Sequence, residues 1–146
     1  MSTFSEYYDI IEDELNRFGI FFNPTKMGIA LHEVRYDKVS KTFSYSCVDA
    51  DENFKKILSL SSIENIRYDE IFPQDKENKF DWSIVMGHSS EFFSMSKYYC
   101  YSDILKRWIS FLVISPKKGY VLLVAEDITD KKINKTQNNS YEISIA

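Results

Sequence analysis

Few side chains in this sequence can move a proton, attack a carbonyl or hold a metal, and their spacing narrows the chemistry further. Histidine occurs only at His32 and His88. These are the groups suited to act as bases near neutrality or as nitrogen ligands. His32 alternates with Ala30 and Val34 in a strand-like run, which marks it as a hydrogen-bonded sheet residue. Cys47 and Cys100 form neither a CxxC knuckle nor a disulfide framework. There is no G-x-S-x-G, phosphate loop, H-E-x-x-H or dinucleotide fingerprint. Arg107, beside Trp108, is a cation placed to meet an acidic ligand or to pair with Glu126 or Asp127. The run "VLLVAEDITDKK", residues 121 to 132, turns from apolar to charged at Asp127. There Asp127 can hold a cation or cap backbone amides, and Thr129 can bond a nearby backbone group. These residues predict binding rather than a catalytic centre, and Asp127 and Thr129 equally suit plain strand termination as ordinary turn formers.

The elements that must position them are legible from period and punctuation. Residues 3 to 18 predict a helix: Thr3 and Glu6 have capping-box spacing, and Gly19 supplies the stop. Phe4, Tyr7/Tyr8, Ile11, Leu15 and Phe18 recur at three- and four-residue steps and form one apolar stripe. That stripe fits packing on its own domain and a seam with a second copy equally well. "GIALHEVRYD" (28–37) and "KTFSYSCVD" (41–49) alternate as strands joined by a short polar turn. "ADENFKKILSL" marks a short helix through Phe54, Ile57, Leu58 and Leu60, and "SSIENIRYDEIFP" is a broken helical stretch. Residues 75 to 87 predict a further helix capped by Asp75. Strands are expected at 91–101, 105–115 and 119–128, with "SPKKG" turning between the last two. Two hairpin groups split by helices imply an α+β domain, one antiparallel sheet covered on one face by helices.

Bulk properties exclude several classes. The 146 residues suit one domain with a core, and 11 Phe, 10 Tyr and 2 Trp supply an aromatic interior. A net charge of −4 with dispersed lysines argues against a nucleic-acid partner. No apolar run approaches the roughly 18 residues a membrane span needs, and the first residues lack a secretion signal. The expected location is cytoplasmic, with no membrane insertion.

The element order, together with "YDEIFP", the Arg-Trp strand "KRWISFLVIS" and the closing "VAEDITDKK", resembles the PAS family of cytoplasmic sensor domains. The resemblance covers residues 28 to 132, leaving 1–27 as an N-terminal helical extension and 133–146 as a polar tail or linker. Asp51-Glu52 and Leu58-Ser59 stand where many members read Asn-Pro and Thr-Gly. The resemblance implies a five-stranded antiparallel sheet of order 2-1-5-4-3 with helices on one face. Its last strand would be central, and Asp127 and Thr129 would pass a change of sheet twist to whatever follows. It implies a non-catalytic sensor that regulates an attached output, such as a histidine kinase of a two-component system or a diguanylate cyclase. A homodimer through the N-terminal helix is expected.

Helices over a curved sheet leave a cavity for a small ligand. Its candidate lining is Phe54, Ile57, Ile71, Phe72, Trp82, Met86, Phe93, Met95, Arg107 and Trp108, although an aromatic set at this spacing is more often a plain core. No cofactor is named by these residues. His88 is the place a haem ligand would stand, since some members bind haem through this helix. Neither cysteine has the Asn-Cys-Arg setting of the flavin-dependent light sensors. Two alternatives stay open: a ligand-free dimerisation module, and a small cone-shaped α+β enzyme of the ketosteroid-isomerase type. The latter requires a buried Asp or Glu facing a Tyr.

Overall fold

The computed structural model describes residues 8–17, 19–72, 81–92, 95–133 and 141–145. Helix α1 (Tyr8–Arg17) precedes the hairpin of β1 (Met27–Asp37) and β2 (Thr42–Ala50). Three helices follow: α2 (Glu52–Ile57), α3 (Tyr68–Ile71) and α4 (Trp82–Phe92). Strands β3 (Met95–Ser102), β4 (Arg107–Lys117) and β5 (Tyr120–Asp127) lead to α5 (Thr129–Ile133) and β6 (Tyr141–Ile145). The sheet is antiparallel with order β2-β1-β5-β4-β3-β6. Its first five strands have the expected order 2-1-5-4-3. The sixth comes from the stretch expected to be a polar tail, whose residues 141–145 pair with β3. Their alternation in "YEISI" is too short to distinguish from a turn without its partner strand.

Strand alternation sorts the core into two halves, because successive side chains point to opposite faces. Val121, Leu123 and Ala125 of β5 join Ala30, Ile109, Phe111 and Val113 beneath α2, α3 and α4. Leu122 and Val124 join Ile29, Leu31, Leu112 and Ile114 on the reverse face, covered by Ile11 and Leu15 of α1. Strand β5 is therefore apolar at every position from Val121 to Ala125 and reads as a continuous run. Helices thus cover both faces. Ile11 and Leu15 are fully buried within the single chain, so these two stripe positions find their cover in cis. Thr3, Phe4, Glu6, Tyr7 and Phe18 lie outside the described residues. Gly19, at φ +72°, closes α1: its N–H reaches Asn16 O, and Ile20 N–H reaches Leu15 O.

Two glycines set the distance between layers. A Cβ on Gly28 would stand 2.2 Å from the backbone N of Phe54, so β1 meets α2 backbone to backbone. A Cβ on Gly87 would stand 2.3 Å from the Phe43 ring, which lets α4 settle onto β2. Helix α4 runs through Gly87 to Phe92, whereas the sequence reading ended it at Gly87. Met86 and Gly87 are buried against neighbouring layers, and that tertiary cover sustains the helix past a poor helix former. The described start of α4 is capped by Asp81, whose Oδ1 accepts from Ser83 and Ile84 N–H. Asp75, the expected cap, lies outside the described residues. Asp51 caps α2 by accepting from Phe54 N–H and also takes Ile29 N–H of β1, tying helix to strand.

Candidate functional site

The space between the sheet and α2–α4 is filled by rings. Phe54, Tyr68, Phe72, Trp82 and Phe111 are at most 2 % exposed and touch in sequence. Trp82 lies 4.8 Å from Tyr68 and 5.1 Å from Phe111 between ring centroids, and Phe72 lies 5.4 Å from Phe111. Edge-to-face and tilted pairs of this kind are close-packed. Phe54, Phe72, Trp82 and Met86, all expected to line a cavity, form this core, with Ile57 and Ile71 packed at its margin.

Two of the expected lining residues belong elsewhere. Met95 joins Ile11 and Leu15 on the reverse face. Trp108 shares the parity of Leu112 and Ile114 on β4 and so also faces that side, with its ring 5.4 Å from Tyr101. Met95 stands opposite Ile114 and Trp108 opposite Tyr101, so strand alternation puts both on the reverse face. Phe93 lies outside the described residues.

At the centre of the core sits a polar pair that linear spacing did not reveal. His32 Nε2 and Tyr68 Oη are 2.6 Å apart although 36 positions separate them in sequence. Both residues are fully buried. Burial lowers the His32 pKa to about 4 and raises that of Tyr68 well above its usual value, so both are neutral near pH 7. Nδ1 of His32 lies near the backbone of Val121 and Ala30 without a well-formed hydrogen bond. Tyr45 stacks on Tyr68 at 5.6 Å, and burial pushes the Tyr45 hydroxyl and the Cys47 thiol up to about 12. An imidazole that protonates only near pH 4 and has no solvent contact is a structural hydrogen-bond partner. The sheet-histidine reading of His32 matches this geometry. Tyr68 was visible only as part of a helix end, "YDEIFP", because its partner is remote in sequence.

Arg107 does not point into an open cavity. Its Nη1 donates to Ile57 O at 2.7 Å, Lys56 O at 3.2 Å and Ser59 Oγ at 3.1 Å, closing the C-terminus of α2. Ser59 takes φ +54°, with its N–H on Lys56 O and Leu60 N–H on Lys55 O. This is a left-handed helix stop built on serine. The Nε of the same guanidinium lies 3.9 Å from Asp127 Oδ2. Asp127 Oδ1 in turn accepts from Thr129 N–H at 3.0 Å and Thr129 Oγ1–H at 2.6 Å, and Thr129 Oγ1 accepts from Trp108 N–H at 3.0 Å. Asp127 and Thr129 therefore fasten the end of β5 to β4 and begin α5. The cation and the aspartate, each considered separately from sequence, stand together.

His88 is exposed on α4, while Trp82, Val85 and Met86 face the core. Among the described residues no group of three or more His, Cys, Asp or Glu is arranged to hold a metal ion, and no helix is long and apolar enough to cross a membrane.

One open cleft of about 540 Å³ lies on the flank of the core, between β2 and the starts of α3 and α4. Phe43, Tyr45 and Trp82 form its apolar wall, and Arg67, Asp69 and Asp81 its charged rim. Of the expected lining set, Trp82 alone reaches it. Compared with protein-family models, curated proteins and solved structures, the chain gives no match.

Proposed function

We propose that this chain is a non-catalytic, PAS-type sensor domain that regulates an attached signalling output, such as a histidine kinase or diguanylate cyclase. One observation carries the reading. The last strand of the five-strand core lies between β1 and β4, and at its end Asp127 binds Thr129 and faces the arginine that closes α2. A shift of the helical layer therefore meets the start of α5 through one side chain. Such a domain switches only when a ligand binds its two arrangements with different affinity.

A second reading, a ligand-free dimerisation module, is favoured by the filled interior: Phe54, Phe72, Trp82 and Met86 already satisfy one another. A dimer through α1 would then use surface other than Ile11 and Leu15. The isomerase-type alternative is disfavoured, since the buried side chains with polar groups among the described residues include His32, Tyr68 and several serines but no carboxylate.

The test is native mass spectrometry of freshly purified protein with a thermal-shift screen of small apolar and weakly acidic compounds, then hydrogen exchange on any hit. A hit that changes exchange at both α2 and α5 supports the sensor. A hit that leaves residues 127–133 unchanged refutes transmission through Asp127. A dimer with no retained mass and no hit establishes the second reading.

A further inference from the structure

The flank of the core offers what its interior does not. The cleft beside β2 has a volume within the roughly 300–1,000 Å³ of small-molecule sites. Its wall is rigid: Tyr45 stacks on the buried Tyr68, Trp82 is anchored between Tyr68 and Phe111, and Phe43 is held against Gly87. Its rim carries both signs of charge, held only in long and exposed ion pairs. Arg67 Nε stands 3.9 Å from Asp69 Oδ1 and 3.9 Å from Glu70 Oε1, beyond hydrogen-bond reach, and the Arg67 and Asp69 side chains are 64 % and 56 % exposed. Asp81 uses Oδ1 to cap α4 and keeps its charge at the rim.

A purely cationic ligand would meet Arg67 here, and a purely anionic one would meet two aspartates. A ligand carrying an ammonium and a carboxylate on the same carbon answers all three. We propose that this cleft binds a free amino acid with an aromatic side chain, as the zwitterion. The ammonium lies between Asp69 and Asp81, the carboxylate on Arg67, and the ring against Phe43 and Tyr45. Guanidinium binds carboxylate through paired charge-assisted hydrogen bonds, and an ammonium gains further from nearby aromatic faces. This binding stands independently of whether the domain signals.

The test is an amide-shift titration of the labelled chain with L-phenylalanine, alongside phenethylamine and 3-phenylpropionate, which each keep one charge. L-phenylalanine is expected to bind with a Kd of about 1 mM or tighter, moving amides at Tyr45, Arg67 to Asp69 and Trp82 to Ser83. Each analogue should bind about tenfold more weakly. Asp69→Asn, Arg67→Gln and Asp81→Asn should each weaken L-phenylalanine by a similar factor while preserving the spectrum, since asparagine retains the helix-cap acceptor. No shifts at that concentration, shifts mapping outside the cleft, equal binding of the analogues, or indifference to all three substitutions would each overturn the proposal.

Discussion

His32 supplies the sharpest test of the buried architecture, because its burial has a calculable consequence for stability against pH. An unfolded histidine takes a proton near pH 6.5, whereas folded His32 resists until about pH 4. The unfolded state therefore binds the proton first, and stability present above pH 6.5 is lost as pH falls toward 4, then levels off. A drop of that size, at about 1.4 kcal/mol per unit, corresponds to about 3 kcal/mol. The groups packed around the ring, Tyr45, Tyr68 and Cys47, all have pKa values pushed upward and stay neutral across this window, so none offsets the effect. The assay is urea unfolding from pH 7 to 4.5, comparing the wild type with His32→Leu/Tyr68→Phe. That double variant removes both hydrogen-bonding partners together, which costs far less than orphaning one. Carboxylates titrate alike in the two proteins, so the difference between the curves isolates His32. The wild type should lose up to about 3 kcal/mol relative to the variant on acidification. Parallel curves would show that His32 is hydrated or already charged, and the packed core described above would be wrong.

Gly28→Ala should destabilise by about 3 kcal/mol or more, since its Cβ meets the Phe54 backbone, which cannot rotate away; urea midpoints measure this. Gly87→Ala meets a side-chain ring instead, so its loss should be partly recovered by Phe43→Leu in the double variant. Arg107→Ala should cost about 1–3 kcal/mol and speed amide exchange at both the end of α2 and residues 129–133. Faster exchange at α2 alone would separate the two elements. Cys100, whose thiol burial pushes up to about 12, should react with a thiol reagent at pH 8 only as fast as the protein opens, with denaturant restoring full reactivity, and the half-buried Cys47 should react faster than Cys100.

What the sequence disclosed followed from local rules. Alternation in "GIALHEVRYD" and the apolar run in "GYVLLVAED" gave strands within two residues of β1 and β5, and "DIT" marked the end of the core. The sheet order came from resemblance, since nothing in a strand's own residues says which neighbour it takes. The pocket set went astray for a related reason: aromatic identity predicts burial but not the face. Met95 and Trp108 fall on the α1 side because the register of β3 against β4 pairs Met95 with Ile114 and Tyr101 with Trp108. The His32–Tyr68 and Arg107–Ile57 contacts are long-range and leave no periodic trace. Ser59 shows a subtler limit, taking the left-handed geometry usually given to glycine, with Arg107 as its neighbour's support.

Between Val121 and Ala125, strand β5 has no side facing water. Leu122 and Val124 serve one hydrophobic layer while Val121, Leu123 and Ala125 serve the other, on a single backbone one chain thick. Any event that displaces α1, whether a partner, a truncation or a substitution at Leu15, must therefore be felt among the rings behind the cleft without any contact crossing between them. The two halves of the molecule share a wall, and a push on either side is heard in both rooms.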